Sequence, residues 1–168
     1  MRSVSWILLL VCLFSLVASA GEIQESQVES LIKQLQDEDA EVRSNAVEAL
    51  GQIRSKDAVP ALIQALQEQD PEVHVRAASA LVQIGTPKTL KALKTAVPDL
   101  IQALQDRDKG VRADAAYVLG AIGESAKDAV PALIQVWQDE GMDVRINAAE
   151  ALMQIGTSEA LKAVEEYQ

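Results

Sequence analysis

Few side chains in this sequence could do chemistry. His74 is the one histidine and Cys12 the one cysteine. A single histidine excludes a multi-histidine metal centre within one chain. Cys12 sits mid-way through the apolar run Trp6–Val17, behind bulky Val11, and reads as one more apolar residue of that run. The acidic stretches Asp37-Glu38-Asp39 and Asp106-Arg107-Asp108 have the ligand type for calcium. They lack the glycine turn and terminal bidentate glutamate of a calcium loop, so they read as solvated helix caps. The sequence therefore offers no catalytic residue, no cofactor-binding residue and no metal ligand set. A binding surface remains, and its character depends on the elements that carry it.

The N-terminal residues read as a targeting segment and not as part of the fold. Arg2, the run Trp6–Val17 and the small residues Ala18 and Ala20 form a secretory signal pattern, cut after Ala20. The run is shorter than the ~20 residues that span a bilayer. An uncleaved anchor is the competing reading, and only that reading puts the protein on a membrane. Cleavage leaves residues 21–168, 148 residues without cysteine, and moves the net charge from −10 to −11. An exported chain without cysteine is held by packing rather than disulfides. Its length suffices to bury roughly 68–70% of its unfolded surface. The acidic balance argues against nucleic acid and anionic membranes as partners. Trp137, Tyr117 and Tyr167 are the aromatics left, few for an aromatic-lined pocket. The expected location is periplasmic or extracellular, or a thylakoid lumen if the source is photosynthetic.

Repetition sets the architecture. KDAVPALIQ at Lys56–Gln64 recurs at Lys127–Gln135, and AVPDLIQALQ at Ala96–Gln105 is a near copy. Val28, Val59, Val97 and Val130 open four units spaced by 31, 38 and 33 residues, the spacing of helical repeats. In each second half a valine, an alanine, a leucine and an isoleucine follow in step. Val73, Ala77, Leu81 and Ile84 are one such set, at i, i+4, i+8 and i+11 on one helical stripe. Val59, Leu62, Ile63 and Leu66 make a stripe in the first half. Each unit is thus a pair of amphipathic helices, with repeats over 28–58, 59–96, 97–129 and 130–168. One pair cannot bury its apolar face alone, whereas stacked pairs can. The expected fold is all-α: a right-handed α-solenoid of four helix pairs in one domain, 21–168.

Boundary residues agree with this reading. Pro60, Pro98 and Pro131 fit first turns, with Asp57, Thr95 and Asp128 as candidate caps of the first helices. Asp39, Asp70 and Asp108 stand to cap second helices, and Gly85, Gly123 and Gly156 to end them. The second and fourth units end alike, at Ile84–Ala96 and Ile155–Gln168, as if a two-unit block were doubled. Each block should carry a short extra helix, opened by Thr86 with Pro87 or by Thr157 or Ser158. The inner one bridges the blocks and the last covers the open end. Trp137 takes the place of Leu35, Leu66 and Leu104 and is expected in the core against that last helix.

The stretch Asp70–Val73, followed by AA-x-AL at Ala77–Leu81 and preceded by AVPALIQALQ at Ala58–Gln67, resembles the short HEAT repeats of bilin-lyase-like proteins. The resemblance extends over Val28–Gln168. It implies an arginine that meets the turn aspartate of a neighbouring repeat. Arg43, Arg112 and Arg145 match the arginine, and Asp39, Asp70 and Asp108 the aspartate. His74 stands in the arginine position of the second unit and Gly141 in the aspartate position of the fourth, so an interrupted ladder is expected. His74 itself reads as a structural residue at the turn. Bilin lyases, by this resemblance, attach or process tetrapyrroles on cytoplasmic light-harvesting proteins, which an exported chain would not meet. HEAT-like deoxyhypusine hydroxylases hold iron with His-Glu pairs, and this sequence has none.

Second helices of a solenoid usually line its concave face. There Ser44, Val75, Ala113 and Ile146 share one column, expected to point outward, with Arg76 and Asn147 beside it. Val75, Tyr117 and Ile146 would then form one wet apolar strip. Tyrosine and arginine are enriched at binding centres, which makes Tyr117, Arg76, Val75, Ile146 and Asn147 the candidate protein-binding residues. The expected function is an exported, non-enzymatic scaffold for an unidentified protein partner, without a cofactor. The alternative is a bilin-lyase-like protein or accessory subunit acting on tetrapyrrole-bearing proteins.

Overall fold

The apolar stripes of the sequence fall on helices throughout. A computed structural model describes residues 25–166; the signal, its cleavage site, Cys12 and Tyr167 lie outside the described residues. Residues 25–34 form α1. It is followed by α2 (Ala40–Ile53), α3 (Val59–Ala65), α4 (Pro71–Ile84), α5 (Pro87–Thr95) and α6 (Val97–Ala103). Then come α7 (Lys109–Ile122), α8 (Val130–Val136), α9 (Met142–Ile155) and α10 (Ser158–Glu166). Short 3-10 turns at Lys56–Ala58 and Gly123–Ala129 lead into α3 and α8. The described residues contain no strand.

Three second helices open as their sequences require. Asp39, Asp70 and Asp108 accept first-turn backbone N–H groups, satisfying donors that a helix start leaves free. Thr86 and Thr157 do the same for α5 and α10. Gly85 and Gly156 end α4 and α9 in the left-handed region, with φ of 65° and 67°. Arg54 takes that conformation at the end of α2, φ 55°, so one of these ends is made without glycine. The caps assigned to Asp57, Thr95 and Asp128 are not formed. The first helices start after Ala58, Ala96 and Ala129 with no side-chain cap. The chain enters them already helical, and the carbonyls of Lys56 and Lys127 accept the N–H groups of Val59 and Val130. Thr95 is instead the last residue of α5 and donates its Oγ1 to the Ala92 carbonyl at 2.7 Å.

The second helices stack in one row, α2 on α4 on α7 on α9. Leu50, Leu81, Leu119 and Leu152 are fully buried along it. Two glycines set the spacing of that row. A methyl group at Gly51 would stand 2.9 Å from Ala80 Cβ, and one at Gly120 would stand 2.8 Å from Ala151 Cα. The same position in α4 is Val82, which holds α4 and α7 further apart. Helix α5 adds to the separation by packing between α3 and α6. The middle junction is therefore the loosest of the three.

A ladder of arginines runs along the turn edge, in a different register from the expected one. Arg112 donates to the Asp106 and Arg107 carbonyls of its own turn at 2.9 and 3.0 Å. It also holds both carboxylate oxygens of Asp139, in the next turn, at 2.8 Å. Arg43 caps the Asp37 and Glu38 carbonyls and reaches Glu68 at 3.7 Å. Arg145 caps the Asp139 and Glu140 carbonyls. The ladder acids are thus Glu68 and Asp139, while Asp39, Asp70 and Asp108, two residues further on in their turns, are helix caps. Gly141 does not interrupt the ladder, because Asp139 does the pairing. His74 does interrupt it.

The final helix does less than expected. Helix α10 packs on α8 and α9 and buries Ala160, Ala163 and Val164. It leaves Met142, Ile146 and Met153 of α9 exposed, so the end of the stack stays partly open. Trp137 is partly buried against the core.

Candidate functional site

Val75, Tyr117 and Ile146, expected to make one wet apolar strip, do not form one. Tyr117 on α7 is 39% exposed and Ile146 on α9 is 43% exposed. Val75 is fully buried, and Ser44 and Ala113 in the same column are buried with it. The reason is the stacking geometry. An interior second helix touches its own first helix, the preceding repeat and the following repeat. The Ser44–Val75–Ala113 column faces the following repeat. Ile146 continues that column in the fourth repeat, where among the described residues no further repeat covers it. Its exposure is thus an end effect and not part of a groove with Tyr117.

The outward face is polar around Tyr117. Arg76 on α4 pairs with Glu48 of α2 and with Glu72, at 3.1 Å for the latter. Asn147 on α9 donates its Nδ2 to the Ala113 carbonyl at 2.9 Å, tying α9 to α7. Arg76, Ser79, Gln83, Glu48 and Asp114 line a cleft of about 330 Å³ across three repeats. The structure thus brings Arg76 beside two acids that the sequence reading does not single out, Glu48 and Asp114. A charged residue on an outward stripe looks solvated until the next helix is placed. The signal in the sequence is slight: a carboxylate in the column that holds Asn45, Arg76 and Asn147 elsewhere.

Asp114 is the strained member of this group. Burial pushes its carboxyl above the usual range. Arg76 opposes that shift, and Glu48, Asp108 and Glu72 add to it. A carboxyl whose folded-state value is raised lowers stability as pH climbs from the unfolded value of ~3.9 through the folded one. Asp114→Asn should therefore raise the thermal midpoint at pH 7 and leave it nearly unchanged at pH 3. Equal midpoints at pH 7 would show that the carboxylate is solvated.

Among the described residues, no group of three or more His, Cys, Asp or Glu side chains could hold a metal ion. Among the same residues, no helix is long and apolar enough to cross a membrane. His74 is buried at the turn edge, with its Nε2 lacking a hydrogen-bond partner.

Comparison with known proteins gives this geometry its relatives. No curated protein matches the sequence. An engineered protein of known structure is 30% identical, with a TM-score of 0.65, covering 83% of this chain and 67% of its own. The phycocyanin lyase complex of CpcE and CpcF from Nostoc sp. PCC7120 is 27% identical at a TM-score of 0.54. That match covers 82% of this chain and 62% of the lyase chain, so the sequence spans less than two thirds of that relative's length. Computationally designed armadillo repeat proteins for modular peptide recognition are 25% identical at a TM-score of 0.57, covering 81% and 68%. The model of HEAT repeats matches residues 28–99 and again 97–167, one match to each half of the doubled block. The chain belongs to the family of HEAT-repeat proteins.

Proposed function

We propose that the protein is an exported scaffold that binds a protein partner on its row of second helices and carries out no chemistry itself. The observation that carries this reading is Tyr117: a half-exposed aromatic on an interior helix, beside a polar face that runs across several repeats. The designed armadillo repeat proteins among its structural relatives are built for peptide recognition, which supports a stacked-helix face as a binding surface. Export rests on the signal pattern ending at Ala20.

Residues 21–168 used as bait on the exported fraction of the source cell test the proposal. A protein should be retained by the wild type. Its affinity for Tyr117→Ala should fall about thirtyfold, the ~2 kcal/mol that a central aromatic typically contributes. The melting temperature should hardly change, because the ring is partly solvated already. Undiminished binding by Tyr117→Ala would remove the second-helix row as the site. A second reading is supported by the phycocyanin lyase relative: a bilin-lyase-like protein or accessory subunit. Visible absorbance of a tetrapyrrole in the captured protein would favour that reading over the first.

A further inference from the structure

The gap in the arginine ladder is itself a shaped site. Where Arg112 would have its counterpart one repeat earlier stands His74, whose shorter side chain leaves a cleft of about 500 Å³. Glu68, Gln69, His74, Asp99, Gln102 and Asp106 line it, at the loose junction between the two halves. The chain shows what chemistry belongs there. One repeat on, Asp139 takes Nε and Nη2 of Arg112 at 2.8 Å each, while Nη1 caps two turn carbonyls. Asp106 occupies the place of Asp139 and accepts the Asp108 N–H at 2.8 Å. Among the described residues no basic side chain pairs with its carboxylate. A second feature is independent of the acids: His74 is 7% exposed, and its Nε2 is buried without a partner. A buried polar atom left unpaired is unfavourable, and with the ring proton on Nδ1 this nitrogen is an acceptor that a guanidinium N–H would satisfy.

We propose that this cleft binds a guanidinium group, the side chain of an arginine on a partner protein, in the place the chain's own arginines hold in neighbouring repeats. A planar fork of donors fits a carboxylate with two free lone-pair directions and adjacent turn carbonyls, whereas an ammonium is a point charge without that match. The site lies on the turn edge, away from Tyr117, and does not depend on Tyr117 binding anything.

The probe is N-acetyl-arginine amide, titrated into isotope-labelled protein and followed by amide chemical shifts. Saturable shifts should centre on residues 67–74 and 99–106. N-acetyl-lysine amide should bind at least about fivefold more weakly. His74→Arg should abolish the response by filling the cleft from within. It should also raise the melting temperature by about 2–4 °C as the ladder closes. Asp106→Asn, which keeps the volume, should weaken the probe about tenfold; this variant decides the matter if His74→Arg does not fold. No localised shifts, equal affinity for the lysine probe, or unchanged binding by Asp106→Asn would each overturn the proposal.

Discussion

Leu119→Ala should destabilise the protein by about 2–5 kcal/mol, the cost of losing a large side chain from a site that cannot collapse. Leu119 is fully buried on α7, which is packed between α4 and α9 and against α6. Helix α7 is held on both sides, by α4 and by α9, and rests on α6, so a cavity at Leu119 is not readily filled by a shift of its neighbours. Ser79→Ala on the outward side of α4, which is partly exposed, should change stability by no more than about 0.5 kcal/mol. Denaturant titrations of the two variants provide the comparison. Similar losses would mean that the helix faces are wrongly assigned.

Arg112→Ala should cost about 3 kcal/mol, between the value of an exposed pair and that of breaking a fully buried one. The pair lies near the turn edge, yet the Arg112 and Asp139 side chains are only 10% and 12% exposed. Removing the arginine frees two turn carbonyls and leaves the Asp139 carboxylate short of donors. Hydrogen bonding from Arg112 holds the Asp139 carboxyl below its usual range, against the opposing effect of burial. The Gly141 N–H and the charges of Arg112 and Arg145 assist. A lowered folded-state value means that this stabilisation is complete above the unfolded value of ~3.9 and is lost as pH falls through the folded one. The wild type should therefore lose more stability than Asp139→Asn between pH 7 and pH 3. Parallel pH profiles in urea titrations would show that the ladder contributes nothing there.

The sequence shows the helix pairs because apolar periodicity and repetition report the same thing twice. The capping aspartates are legible for a local reason, since a cap and its helix lie within three residues. The stacking faces are harder to see. Ser44, Ala113, Gly51 and Gly120 are small residues that look neutral on a hydrophobic stripe, yet they mark where the next repeat lies closest. Val75 is apolar and falls outside the one stripe that helical periodicity marks as buried, whereas an interior solenoid helix buries three faces. The ladder acid lies two residues before its expected position, because both aspartates of a turn such as Asp106-Arg107-Asp108 look alike in sequence. Only the geometry separates the one that caps its own helix from the one that faces the neighbouring repeat's arginine. Tyr117 was legible as exposed, since its position carries Glu48, Ser79 and Glu150 in the other repeats.

Side-chain oxidation by hydroxyl radicals, compared between the free protein and its complex with the captured partner, tests the scaffold reading most directly. Tyr117 is exposed on the second-helix row, and Leu90 is exposed on α5, away from it. If the partner lies on the second helices, labelling of Tyr117 falls several-fold in the complex while Leu90 keeps its free-state rate. Unchanged labelling at Tyr117, with protection at Leu90, would place the partner on the opposite side and contradict the account.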